Sequence, residues 1–404
     1  MISAALESRR TVAIYIAAGA SFAALAARGL TVPLYAHDLG ASRFEVGALF
    51  AVSTLAGAAL SLPSGVLVDR FGARRLLALS FALAAASQLA TAATTTVAPL
   101  FLWQVVGGLA AGAQQAALFS AVTETVPGGR LGRAMGWLTL SMQTGFFVGP
   151  LLAGLALRWI DVRLDIALTT ALILFAIPGA IAASGTTQRG GAGFALRQPM
   201  RALIAQPVFV PVTVGLLGGS LIWGTVQAFL PVFGKEALGL PSYMVGYLIA
   251  VQAVANAASR PLAGRLVDRA ARRWPIVFWG TLVFAAATVV LGHLTGFGGP
   301  AIVLAVGTPF IAASFVAVGV VFGDLSAGST RGVTMGSYGS ILFLGLSAGP
   351  LAFGPIVQAD GYAAGFTACA AAAVILATMM AVLNAEPVRR RMEVAFPPPV
   401  PPSR

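Results

Sequence analysis

GVLVDRFGARR, at residues 65–75, returns as GRLVDRAARR at residues 264–273, with Gly65 and Asp69 each 199 positions ahead of Gly264 and Asp268. Outward from this pair the chain keeps repeating itself. GFFVGPLLAG at 145–154 returns as GLSAGPLAFG at 345–354, with Pro150 and Pro350 in step at 200. Between these blocks Glu124 and Asp324, and Met135-Gly136 and Met335-Gly336, keep the same offset of 200. Ahead of them Pro33/Pro231, Leu39-Gly40/Leu238-Gly239 and Val46-Gly47/Val245-Gly246 recur at 198 or 199. Collinear matches at one long period mark a duplicated unit.

The repeated unit is built from membrane-spanning helices. Of the 404 residues, 58% are hydrophobic and 9% charged, and the mean hydropathy is +0.89, a balance that soluble globular domains do not show. A spanning helix needs about 20 apolar residues, because the hydrocarbon layer is ~30 Å thick and each residue rises ~1.5 Å. Twelve continuous apolar runs meet this, at 12–34, 46–67, 76–97, 99–122, 134–157, 166–184, 207–233, 243–264, 274–295, 299–323, 333–357 and 362–384. Continuous rather than alternating runs predict helices rather than a barrel. The expectation is an all-α membrane protein of twelve transmembrane helices in two pseudo-symmetric six-helix bundles. The first bundle covers 1–184, a polar linker 185–206, the second bundle 207–384 and a Pro-rich tail 385–404.

A net charge of +12 would suggest nucleic acid in a soluble protein. Here the charge follows the membrane. With the N-terminus placed inside, only Arg43, Arg158, Arg163 and Lys235 fall outside, and Arg28 and Arg260 fall within spans. All other Lys and Arg residues lie in the tails and even-numbered connections, the positive-inside pattern. Both termini are therefore expected in the cytoplasm, in the cell inner membrane, with no nucleic-acid partner. The first apolar run is too long for a signal peptide and reads as a retained helix. The single cysteine, Cys369, lies in the last run and permits no internal disulfide. No nucleophile-base pair, metal-ligand cluster or phosphate loop is present in the sequence pattern, so neither an enzyme nor a nucleotide-driven pump is expected, and no cofactor or metal.

Gly65, Asp69, Arg70, Gly72, Arg74 and Arg75 match the signature that the Major Facilitator Superfamily carries between its second and third helices. The chain resembles that family over residues 10–385. Gly145, Gly149 and Pro150 resemble the helix 5 motif of its exporters and antiporters, with Gly349 and Pro350 as counterparts. The resemblance implies a secondary transporter of a small solute working by alternating access, with a coupling ion or counter-substrate, a lipid bilayer around it and a monomeric state. One departure stands out: the helix 4 arginine that the family often ties to proton coupling is Gln104 here.

The charges of the signature can form a conformational latch at the inner face, with Glu124, Asp268, Arg269 and Asp324 as further members. Each could instead be a solvated loop charge. The glycines read as packing and hinge positions, since they let a neighbouring backbone approach while Pro150 removes a helix hydrogen bond.

Arg28 and Arg260 are the residues that point to a substrate. An intramembrane charge is expensive and normally faces a partner or a wet cavity. All 13 acidic residues fall at helix ends, in loops or in tails, so no carboxylate is placed to neutralise these guanidinium groups. A guanidinium cannot shed its proton, and a bidentate anion suits its geometry. The arginines could also bond backbone carbonyls or cap helix ends. An arginine on helix 8 is similar to that of oxalate and monocarboxylate carriers of the family, and one on helix 1 to that of its organic phosphate antiporters.

Gln252, Asn256 and Arg260 are four apart and share one helix face. With Gln114, Gln115, Gln143, Gln227, Phe22, Trp223 and Tyr338 they outline a candidate cavity, although each is also a common packing or interhelical bonding residue. Three readings remain open: a transporter of organic anions, with Arg28 and Arg260 jointly holding the substrate between the bundles, a drug or sugar exporter of broad specificity, or a non-transporting membrane protein.

Overall fold

The structure is a computed structural model that describes residues 2–126, 131–183, 197–325 and 331–385. Among these residues every regular element is a helix. The first half contains α1 (Ile2–Asp38), α2 (Arg43–Phe71), α3 (Ala73–Ala93), α4 (Ala98–Thr125), α5 (Leu131–Ala156), α6 (Val162–Leu174) and α7 (Ile177–Ala182). A short α8 (Arg197–Ile204) stands in the expected linker. The second half contains α9 (Phe209–Glu236), α10 (Ser242–Arg269), α11 (Trp274–Leu291), α12 (Gly298–Asp324), α13 (Arg331–Asp360) and α14 (Tyr362–Leu383). Eleven stretches among the described residues are long and apolar enough to cross a membrane. The eleven leave out α10, a helix as long as its neighbours that is diluted by Asn256, Arg260 and the charges of its last turns.

Three boundaries differ from the sequence expectation. The sixth run is divided, because Pro178 in the first turn of α7 has no N–H to continue α6. The linker contains the amphipathic α8 rather than irregular chain alone. Of the signature charges placed in connections, Asp69, Arg70, Asp268 and Arg269 lie instead in the last turns of α2 and α10, which run on to Phe71 and Arg269, and Arg74 and Arg75 lie in the first turn of α3. Gly72, at φ 81°, then turns the chain directly into α3. The side chain of Asp69 and the surroundings of Gly65 lie outside the described residues, as do linker positions 184–196 and the tail from 386.

Turn chemistry explains how the outer connections form. Gly40 and Gly239, repeat counterparts, both take positive φ (86° and 65°) just after α1 and α9, a conformation that costs glycine little. Ser42 then opens α2 with a reciprocal cap: its hydroxyl accepts from Glu45 N–H, and the Glu45 carboxylate accepts from Ser42 N–H at 2.8 Å.

The repeat is visible in packing as well as sequence. A Cβ on Gly149 would overlap the backbone of Ala23 on α1, and one on Gly349 the backbone of Leu221 on α9. Ala23 and Leu221 are themselves 198 positions apart. Gly149 and Gly349 thus seat α5 on α1 and α13 on α9 at distances a side chain forbids.

The apolar core divides along the membrane normal. Towards the face that carries the start of α1, each half has its own cluster, one around Ala18, Leu77, Leu118 and Leu138 and one around Val212, Val267, Val318 and Phe322. Towards the opposite face a single cluster joins both halves, with Leu30, Leu34 and Leu49 against Phe229, Phe233 and Leu248. There Gly154 on α5 and Gly246 on α10 meet so closely that a Cβ on Gly154 would lie 2.8 Å from Gly246 Cα. This arrangement is closed at the face opposite the N-terminus.

Candidate functional site

Arg260 occupies the seam between the halves. It stands four residues beyond Asn256 on α10, and its Nε donates to Asn256 Oδ1 at 3.1 Å. Across the seam Gln143 of α5, with its amide oxygen turned to the guanidinium, accepts from Arg260 Nη2 and Nε at 2.6 Å. Tyr338 of α13 lies within electrostatic range of Arg260 and packs edge-on against Phe322, ring centroids 5.5 Å apart. Also between the halves, Ser61 of α2 and Ser340 of α13 approach to 3.5 Å. Arg260 makes no ion pair among the described residues. Gln252, two turns back on α10, is buried and its Nε2 has no acceptor.

Arg28 is placed elsewhere. Its Nη2 donates to the Trp103 carbonyl at 3.0 Å and to Gln104 Oε1 at 2.7 Å, both on α4 of its own half. It is 7% exposed and shares no partner with Arg260. Gly107 makes room for it, since a Cβ there would overlap the guanidinium. The grouping of Arg28 and Arg260 around one ligand is therefore revised: α1 turns Arg28 into the first bundle, and only Arg260 faces the seam.

The other expected lining residues separate in the same way. Gln114 belongs with Arg28, donating to Ser21 Oγ at 2.8 Å inside the first half, while Gln115 is exposed on the neighbouring face of α4. Gln227 is half-buried on α9. Trp223 packs on Phe284 and Phe315 in the second half, with centroids at 5.7 and 6.4 Å. Phe22 is buried edge-on against Phe146.

Of the expected latch residues, Asp324 pairs with Arg273, the last residue of the second signature copy. Glu124 accepts from Ser120 Oγ at 2.7 Å. Arg70, Arg74, Arg75, Asp268 and Arg269 are exposed.

A second charged cluster was not anticipated. At the face opposite the N-terminus the Glu236 carboxylate faces His37 Nε2 at 3.1 Å and accepts from Arg43 Nε at 2.7 Å and from Tyr362 OH at 3.1 Å. Lys235 pairs with Asp38, and the Phe44 N–H donates to Gln358 Oε1 at 3.3 Å. All these contacts except Tyr362–Glu236 cross between the halves. The sequence carried a signal for them, because His37-Asp38 and Lys235-Glu236 are 198 positions apart, as are Pro33 and Pro231.

The family model described as Major Facilitator Superfamily matches residues 14–307 and 235–401. Among curated proteins, the quinolone resistance protein NorA of Staphylococcus aureus is 25% identical over 123 residues, 30% of this chain and 32% of NorA. An uncharacterized MFS-type transporter of Methanocaldococcus jannaschii is 27% identical over 122 residues, again 30% of this chain and 32% of the relative. The chain thus aligns with about a third of the length of these relatives. Among solved structures, a bacterial homologue of the human lysosomal transporter Spinster, inward-facing and occupied, superposes with a TM-score of 0.79 at 14% identity, covering 97% of this chain and 98% of that one. The nucleoside transporter NupG superposes with a TM-score of 0.72 at 13% identity, covering 94% and 98%.

Proposed function

The chain belongs to the Major Facilitator Superfamily, and from that premise we infer that it is a secondary active transporter whose solute, a small organic anion, binds at Arg260 between the two halves. The observation that carries this reading is a permanent cation in the seam with neutral partners only, Asn256 on its own helix and Gln143 across from it. A carboxylate or phosphate would satisfy the planar guanidinium at two points and displace the Gln143 amide. Asn256 and Tyr338 supply further polar contacts beside it, with Gln252 two turns back on the same helix. Since α10 and α5 belong to opposite halves, a ligand on Arg260 biases their relative position, which is what alternating access requires.

The charge asymmetry along the chain supports cytoplasmic termini in the cell inner membrane. The state described is then closed to the outside. Asp69, Arg70, Arg74, Arg75, Glu124, Asp268, Arg269 and the Arg273–Asp324 pair form the latch of the cytoplasmic face, acting on the balance of states rather than on the solute. Gly145, Gly149, Pro150, Gly349 and Pro350 are packing and hinge positions.

A second reading, export of drugs, is favoured by the likeness to the quinolone resistance protein over 123 residues. A thermal-shift screen of the purified protein against small carboxylates, phosphates and cationic dyes separates the two, because a ligand stabilises the state it binds. Stabilisation by anions that is lost in Arg260→Gln supports the first reading; stabilisation by cationic dyes alone sinks it.

A further inference from the structure

Beside Arg28 the first half has a small pocket of about 20 Å³, lined by Ser21, Arg28, Gln88, Gly107, Gln114 and Ile173, among others. A guanidinium has five N–H donors, yet both recorded Arg28 bonds leave from Nη2. Its Nε is buried with no acceptor, and the amide oxygen of Gln88, which lines the same pocket, is buried with no donor. No carboxylate pairs with Arg28 among the described residues.

We propose that this pocket is a binding site for one small monovalent anion, chloride in the cell, held by Arg28 inside the first half and separate from the solute site on Arg260. Three observations set the ligand's class. Size comes first: a water-sized guest needs roughly 10–15 Å³, so about 20 Å³ of room suits a single-atom ion better than a carboxylate or phosphate. Charge comes second: a buried cation without a counter-ion is costly, and its proton cannot leave. Bonding capacity comes third. A water molecule has two lone pairs for three free N–H donors and leaves the charge uncancelled, whereas a spherical halide accepts from every side. A half-turn of the Gln88 amide presents its NH₂ to the ion as well.

The site's position gives the ion a role. Its lining comes from α1, α3, α4 and α6, all in one half, so the ion fastens these helices to each other and does not bridge the seam. The glycine at 107 has its reason here too, because any side chain would displace the guanidinium from this position.

The test uses the full chain, purified in detergent and exchanged into gluconate at constant ionic strength. Radioactive chloride is titrated by scintillation proximity, and thermal unfolding is followed in parallel. One saturable chloride per chain is expected, with an upward shift in Tm of roughly 2 °C near saturation. Bromide should substitute, and sulfate and acetate should not. Both signals vanish in Arg28→Met and persist in Arg260→Gln, which keeps this result independent of the solute reading. Gln88→Leu leaves the guanidinium in place and weakens chloride binding several-fold, a check that stands even if Arg28→Met does not fold. Absence of saturable chloride binding in the wild type, binding unchanged in Arg28→Met, or affinity unchanged in Gln88→Leu overturns the proposal.

Discussion

Lys235 at the end of α9 pairs with Asp38 at the end of α1, and their repeat counterparts, His37 and Glu236, are paired with each other. The base of each half thus meets the acid of the other across the pseudo-twofold axis. Such reciprocity gives one duplicated dipeptide two cross-links, and Arg43 and Tyr362 add two further donors to Glu236.

Glu236→Gln is expected to loosen the closed face. Partly exposed ion pairs contribute roughly 0.2–1 kcal/mol each, so losing those to His37 and Arg43 should shift the ratio of states by about two- to thirty-fold. With Leu30→Cys, a residue buried beneath the lock, maleimide labelling from that face should accelerate by a comparable factor. An unchanged labelling rate would show that the ion pairs do not hold the face shut.

At the seam, Arg260→Lys should raise the apparent KM about ten-fold or more while keeping the charge, because an ammonium lacks the two-point geometry of guanidinium. Arg260→Gln should be more severe. Uptake into proteoliposomes measures both, with folding checked by size-exclusion profile. Wild-type rate and affinity in both variants would make Arg260 structural and bring the exporter reading to the front.

Asp324→Asn and Asp69→Asn should slow turnover with equilibrium binding of the solute largely intact, since a latch acts on the exchange between states. Binding and transport assays on the same preparation separate the two quantities. Normal turnover with much weaker binding contradicts the latch.

Gly145→Ala should destabilise by about 1–3 kcal/mol, since its Cβ would lie 2.8 Å from Ala23 N and 3.0 Å from Phe22 Cβ. Gly136→Ala, with no atom within 4 Å of its Cβ, should be neutral or gain up to ~1 kcal/mol from helix propensity. Thermal melts in detergent rank the pair, and equal losses would refute the close-packing account.

Orientation has its own check. A cysteine in place of Gly191 should resist an impermeant thiol reagent added outside intact cells and react after permeabilisation. Labelling from outside would invert the assigned topology.

The helices and the duplication were legible because both follow from local signals, apolar run length and a long repeat period. Helix ends were less so, since a helix can run past the hydrocarbon into charged sequence, as α2 and α10 do. Arg260 was legible as a seam residue through its depth and the four-residue spacing to Asn256. Arg28 was not, because depth says nothing of azimuth: the same arginine would reach the seam had α1 been rotated. Only the packing of Gly107 and Gln104 fixes its direction. The Glu236 lock escaped the reading of charge by topology, which treats the ends of α1 and α9 as loop charges and ignores that the repeat superposes them.

The polarity of α10 bears on how the chain is made. A central arginine costs roughly 2.5–3.5 kcal/mol during insertion by the translocon, and α10 carries it without the apolar excess of its neighbours. The group that receives Arg260 is Gln143, more than a hundred residues earlier and already synthesised when α10 emerges. The first bundle can therefore serve as a template on which α10 enters the bilayer. A second bundle expressed alone should leave α10 poorly inserted and be degraded, and co-expression of the first bundle should restore it.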